Sequence, residues 1–356
     1  MLNLLNLSRV ELEDFITRDL GEPSFRAVQV WRWLWAAGAR SFAEMSNVSK
    51  ALRAALAERA FIYRPETLEE QRSRDGTVKL LLRLADGELI ETVLIPDERP
   101  GSDRRVTQCL SSQAGCSMGC LFCATGALGF VRNLDHAEIL GQVLVGREVL
   151  ARDYGRGSAP RNLVFMGMGE PLLNLDNLLR SLETAHSEQG LHFSRRRITV
   201  STCGLPHGLR PLGESGLAGL ALSLHAPEQE LRARIMPKAA RWPMDELLAE
   251  LERYPLGARE HITLEYLLLG GVNDAPEQAR ALGRLARRLE AKINLIAYNM
   301  TEGAPYAAPS PERVLAFERE LWSLGLVAVL RRSMGADIQA ACGQLRASAS
   351  NKAGDG

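Results

Sequence analysis

Apolar positions in the first 64 residues recur at helical intervals. In "PSFRAVQVWRWLWAAG" they are Phe25, Val28, Trp31 and Trp35, with Arg32 an alternative to Trp31, and Gly38 is placed to stop the helix. "SKALRAALAERA" is a second strong helix former. Trp31, Trp33 and Trp35 are expected in core and interface positions. The period then changes. "TVKLLLRLADGELIETVLIP" holds two strand-like runs around Asp86-Gly87, a hairpin signal. "PDERPGS" reads as a loop. From about residue 105, strand-like and helical runs alternate. The strand runs are "RVTQCLSS", "RNLVFMG", "RRITVST", "LALSLHA", "HITLEYLLL" and "KINLIAYN". Helical patterns such as "DHAEILGQVLVGREVLARD" and "PEQARALGRLARRLE" fall between them. Six βα units in succession imply an α/β fold with a parallel sheet and right-handed crossovers. "GLVAVLRRS" is a candidate further strand. The units are too few for a closed eightfold barrel, so an open or partial (βα)6 barrel is expected. The expected division is a helical accessory domain over 1–65, a hairpin extension and linker over 66–104, a catalytic domain over 105–346, and a flexible tail over 347–356.

Polar and glycine-rich residues collect where the strand runs end: three cysteines, then "GMGEP", "STCG", "SLHAP", "GGVND" and Asn299. Parallel α/β folds place their active sites at the carboxyl ends of the strands.

Composition narrows the class. The chain has 356 residues, long enough for two or three domains at roughly 100–200 residues each. Apolar residues make up 46% and charged residues 24%, which is ordinary for a soluble globular protein. The amino terminus lacks early basic residues and reads as an amphipathic helix, not a signal peptide. No run of 18 apolar residues occurs, so no membrane span is expected, and the cytoplasm is the expected compartment. In a reducing compartment the six cysteines suit metal binding or catalysis better than disulfides. With 43 basic and 43 acidic side chains, nothing draws the whole chain to nucleic acid. Local clusters could still hold phosphates: Arg72, Arg74 and Lys79; Arg104 and Arg105; Arg195 to Arg197; Arg331 and Arg332.

"CSMGCLFC" carries the sharpest chemistry. Cys116, Cys120 and Cys123 stand at C-x3-C-x2-C spacing. A structural zinc site wants four closed ligands, often two C-x2-C pairs, and no second pair is present. Thiolates also hold iron–sulfur clusters; three of them on a four-iron cluster leave one iron open to a small ligand.

This loop, with Phe122 before its last cysteine, resembles the radical S-adenosylmethionine (SAM) superfamily. "SSQAGCSMGCLFCATGALGFVRNL", "FMGMGEPLLN", "SLHAPEQELRARIMP", "LLLGGVNDAPEQA" and "GADIQAACGQL" together resemble the RlmN and Cfr family of radical SAM RNA adenine methyltransferases, from about Glu91 to Leu345. One stretch departs: "NLIAYNMTEG" stands where the family pattern is Pro-rich. The resemblance implies a radical SAM barrel with a [4Fe-4S] cluster on Cys116, Cys120 and Cys123. It implies SAM held by Gly169 and Glu170, Ser201, the Ser223-Leu224-His225 segment and Asn299, with two SAM consumed per turnover.

It further implies a working pair in Cys109 and Cys342, whereas Cys203 reads as a buried strand-end residue. Adenine C2 has no nucleophilic lone pair, so direct SN2 transfer of a methyl cannot work. In the family, Cys342 would take a methyl from one SAM. A deoxyadenosyl radical from a second SAM would abstract hydrogen from it, and the carbon radical would add to the ring. Glu91 would remove the ring proton. Cys109 would attack the Cys342 sulfur and free the product, leaving a transient disulfide. The implied substrates are 23S rRNA in the peptidyl-transferase region and tRNA at adenosine 37. The base must be drawn from its stack to react. An electron donor such as flavodoxin or ferredoxin, and a monomeric state, complete the expectation. A Cfr-like C8 methyltransferase, a glycyl-radical activating enzyme and an RNA-binding protein with a structural metal are the competing readings.

Overall fold

The computed structural model describes residues 1–97, 105–301 and 303–347. The linker from 98 to 104, with Arg104, and the tail from 348 lie outside the described residues.

The amino-terminal part is helical, as its periodicity predicts. It holds α1 (Arg9–Asp14), α2 (Ser24–Trp31) and α3 (Lys50–Arg59), with a two-strand clasp of β1 (Leu2–Asn3) and β2 (Ala60–Phe61). The α2 run continues as a wider π-type turn over Arg32–Ala37 and ends at Gly38, whose φ of 68° is the left-handed cap that glycine allows. Its buried face is Ala27, Val30, Trp31, Leu34 and Trp35. Phe25 is exposed instead, with the Arg26 guanidinium over its ring. The expected stripe was therefore rotated, because the interval through Phe25 and Val28 fits a helix as well as the true one does.

The middle segment contains three strands, not two: β3 (Glu66–Arg72), β4 (Val78–Arg83) and β5 (Leu89–Pro96). The Asp86-Gly87 turn joins the second to the third, as expected. The missed strand, "ETLEEQR", is polar because it is the edge of the sheet and faces water.

The carboxyl-terminal part contributes β6 (Val106–Cys109), β9 (Asn162–Phe165), β10 (Ile198–Thr202), β11 (Gly219–Ser223), β12 (Thr263–Leu268), β13 (Lys292–Ala297) and β14 (Ala328–Arg331). These seven strands run parallel, neighbour to neighbour. The meander joins them through the antiparallel pair β5 and β6, so one sheet of ten strands runs from β3 to β14 with open edges. It is a partial barrel. A small ribbon, β7 (Gln113–Gly115) with β8 (Phe130–Asn133), brackets the cysteine loop and the short α4 (Ala124–Leu128).

Crossover helices cover the outside: α5 (His136–Tyr154), α6 (Leu175–His186), α7 (Pro206–Ser215), α8 (Gln229–Ile235), α9 (Met244–Glu252), α10 (Pro276–Arg288) and α11 (Pro311–Ser323). α5 is buried over most of its circumference because the amino-terminal helices pack on it. Arg147 on α5 donates to the carbonyls of Trp35 and Ala36, each at 2.7 Å, and Trp35 packs on His136 at 5.5 Å.

Candidate active site at the carboxyl ends of the strands

The cysteine loop is shaped by glycine and backbone bonds. Gly115 has φ +74°, and a Cβ there would lie 2.0 Å from the Gly129 carbonyl. That carbonyl accepts the Cys116 N–H at 2.7 Å, closing the loop at its base. Leu121 N–H donates to the Ile235 carbonyl at 3.0 Å, and Ala124 N–H to the Gly343 carbonyl at 2.7 Å. The Cys123 thiol accepts backbone bonds from Thr125 and Gly126. Burial raises all three thiols, Cys116 to about 12, and charge on one of the others raises both Cys116 and Cys120 further. Three thiols that burial keeps protonated are held where a cationic group would make them thiolates. Three cysteines are one ligand short of the four on which a structural zinc site closes. A cluster takes each thiolate on a different iron, and this donor set fits it.

The second wall comes from the ends of β9 to β13. Gly169 has φ +100° and passes so close to Gln113 that a Cβ would meet it at 2.5 Å. Glu170 N–H donates to the Gln113 side chain at 3.0 Å. The Glu170 carboxylate is turned to the backbone. It accepts from Leu172 N–H at 3.0 Å and Cys203 N–H at 2.8 Å. It ties two loops together, while the Met168 and Glu170 N–H groups of the motif are held by Ser111 Oγ and the Gln113 side chain. Ser201 and Ser223 end adjacent strands with their hydroxyls 3.2 Å apart. Leu224 is buried. His225 has the left-handed φ of 55°, and its Nδ1 accepts from Leu267 N–H at 3.1 Å. Burial lowers its pKa to about 3, so the ring is neutral, with its proton on Nε2. It meets Phe122 of the cysteine loop edge-on at 5.1 Å. The Asn299 Nδ2 is buried without a partner, a donor that a bound ligand would satisfy.

The third wall joins the remaining residues. Cys109 is buried at the end of β6, and burial raises its thiol, with the charge of Cys342 raising it further. Cys342 is exposed by area, yet its surroundings push it up to about 11. Both hold for a residue on the wall of a concave opening. The segment after it is bonded in two directions. The Leu345 carbonyl accepts from Thr125 Oγ1 at 2.6 Å, next to the cysteine loop, and Arg346 N–H donates to Glu91 at 2.7 Å. Glu91 is buried on β5 and pairs with Lys79 at 3.2 Å. Burial raises its carboxyl; Lys79 and the Arg346 N–H pull it back part of the way.

Lys79 is thus a buried partner of Glu91 and not, as its sequence cluster suggested, a basic face. Arg72 is engaged by Glu70 and by Asp153 at 2.7 Å, and Arg195 pairs with Glu260 at 2.7 Å. Arg232 and Asn273 were not singled out. Arg232 is fully buried and donates to the Ala239 carbonyl at 2.9 Å and to that of Cys203. Asn273 donates to the His225 carbonyl at 2.8 Å and fixes its strained turn. The "VND" after β12 was the available signal. Cys203 is a buried strand-end thiol, as expected.

Two family models match the chain: the ribosomal RNA large subunit methyltransferase N-terminal domain over residues 2–62, and the radical SAM superfamily over residues 110–282. The dual-specificity RNA methyltransferase RlmN of Nitratidesulfovibrio vulgaris (strain Miyazaki F) is 63% identical over 98% of this chain and 95% of its own length. That of Lawsonia intracellularis is 53% identical over 97% of each. The crystal structure of a radical SAM methyltransferase from Sphaerobacter thermophilus superposes with a TM-score of 0.90 at 41% identity, covering 98% of this chain and all of that one.

Proposed function

The chain belongs to the dual-specificity RNA methyltransferase RlmN family of the radical SAM superfamily, and from that premise we propose that it methylates C2 of adenosine in 23S rRNA and in tRNA through a methyl carried on Cys342. It is a radical SAM RNA methyltransferase, and its cofactors are a [4Fe-4S] cluster and SAM. Cys116, Cys120 and Cys123 hold the cluster. Gly169 and Glu170, the Ser201 and Ser223 hydroxyls, the Leu224-His225 turn and Asn299 hold SAM. When bound, these groups supply methyls and a radical that abstracts hydrogen.

The chain's own residues do the rest. Cys342 carries the methyl on sulfur; after one hydrogen atom is abstracted from it, its carbon joins adenine C2, the one electron left over on the ring passes to a one-electron acceptor, and RNA and protein are briefly one covalent molecule. Glu91 removes the C2 proton; a carboxylate short of water is a stronger base than one in solution. The Cys109 thiolate then attacks the Cys342 sulfur. An S–S bond forms as the C–S bond breaks, and the electron pair of that bond stays with the product carbon, which takes up a proton. A reductant returns both thiols.

The observation that carries this reading is the segment from Cys342 to Arg346, bonded to the cysteine loop on one side and to Glu91 on the other. The helical part over 1–65 serves RNA contact, the strands of 66–104 deliver Glu91, and 105–346 is the catalytic unit. A flavodoxin- or ferredoxin-like donor, a monomer and a cytoplasmic setting complete the proposal; among the described residues no helix is long and apolar enough to cross a membrane. The test is Cys342→Ala with anaerobically reconstituted protein. The reading expects iron content unchanged and no 2-methyladenosine; methylation at the wild-type rate would overturn it.

A further inference from the structure

Arginines stand just before three adjacent parallel strands. Arg105 precedes β6, Arg161 precedes β9 and Arg197 precedes β10, and the sheet order places these strands side by side. They therefore share the amino-terminal rim, the end of the barrel opposite the cysteines. Arg161 is exposed. Charge on Arg197 and Arg105 makes its own charge harder to hold, which marks the three as a patch of like charge.

A cavity of about 480 Å³ opens at this rim, on the seam with the amino-terminal domain. Arg161, Arg197, His192 and Ser194 line it, with Ala36 of the amino-terminal domain on the far side. Arg147 closes the seam, its guanidinium already spent on the Trp35 and Ala36 carbonyls. No Asp or Glu lines the cavity among the described residues. Arg197 donates to the Asn162 side chain at 3.1 Å, a neutral partner that leaves its charge uncancelled.

We propose that this rim is a second RNA contact, in which Arg161 and Arg197 hold backbone phosphates of the RNA substrate at the end of the barrel away from the chemistry. This rests on RNA being the substrate. It accounts for how a chain of zero net charge holds a polyanion: its positive charge is uneven, and one cluster sits at a cavity that no carboxylate lines among the described residues. Phosphate contacts of this kind set register without reading bases.

The test is equilibrium binding of full-length unmodified tRNA to reconstituted protein over a range of salt, without turnover. The double variant Arg161→Gln, Arg197→Gln is expected to weaken binding about tenfold or more at low salt. The slope of log affinity against log salt should fall by about one for each arginine removed. Arg161→Lys should retain most of the affinity. Arg161→Glu, at an exposed position, gives the same reading without touching the bond to Asn162. Affinity and slope equal to wild type in both Gln and Glu variants would overturn the inference. Because no turnover is involved, that outcome is distinct from a failure to form 2-methyladenosine, which would count against the proposed reaction instead.

Discussion

Glu91 shows how its surroundings set a single residue's hold on its proton. Burial raises its carboxyl, and Lys79 at 3.2 Å opposes the rise. Replacing Lys79 by Met removes the opposing charge, so Glu91 should hold its proton to higher pH. The acid limb of the pH dependence of single-turnover methylation is then expected to move upward, with the rate recovering in base. An unmoved limb would separate Lys79 from the base. At Cys109 the expectation is a trapped state. Cys109→Ala leaves nothing to attack the Cys342 sulfur, so a nuclease-sensitive protein–RNA adduct should accumulate on a denaturing gel. Free product at the wild-type rate would remove Cys109 from release. Cys109 and Cys342 could be named from sequence only through the family resemblance. Neither sits in a local pattern with chemical meaning, and the fold alone brings them together from 233 residues apart. Lys79 was misread for the complementary reason: a lysine on a strand looks the same whether it faces water or a buried carboxylate.

Elements with strong periods were legible, and those whose surroundings decide their polarity were not. The six strand runs and the further strand over Ala328–Arg331 all appear; in the six the buried positions are mostly apolar, whereas in the last Val329 and Leu330 are exposed and only Ala328 is buried. The edge strand Glu66–Arg72 did not announce itself, since one polar strand at a sheet edge reads as a loop. The cysteine loop depends on Gly115, where a Cβ would meet the Gly129 carbonyl. Gly115→Ala is expected to cost about 1–3 kcal/mol from its left-handed φ, and more from the approach to the Gly129 carbonyl. Lower iron per chain and a lower thermal midpoint would show it; full iron loading at an unchanged midpoint would contradict it. At the start of α5, His136 is buried between Ser181 and Thr184, and its pKa is lowered to about 3. An unfolded histidine titrates near 6.5, so the unfolded state takes up the proton first as pH falls. His136 should therefore weaken the protein as pH drops from about 6.5 towards 3, by about 1.4 kcal/mol per unit. His136→Gln should flatten that slope in denaturant titrations.

For the whole molecule, one open sheet places every part of the site. The antiparallel meander brings Glu91 in from one edge, the parallel strands supply the cysteine loop and the opposite wall, and the carboxyl-terminal segment bonds both. Net neutrality hid the charge distribution, which became visible only when adjacent strands lined up their first residues. The central claim is that the methyl travels on a cysteine to adenine C2. Its most direct test uses reconstituted protein, a reductant, unmodified ribosomal RNA and SAM bearing a fully deuterated methyl, followed by nucleoside mass spectrometry. The account predicts 2-methyladenosine whose methyl has kept two deuterium atoms and lost one, because hydrogen abstraction breaks one C–D bond. A methyl that keeps all its deuterium would mean direct transfer and contradict the roles of Cys109 and Cys342, and 8-methyladenosine would contradict the assignment to C2.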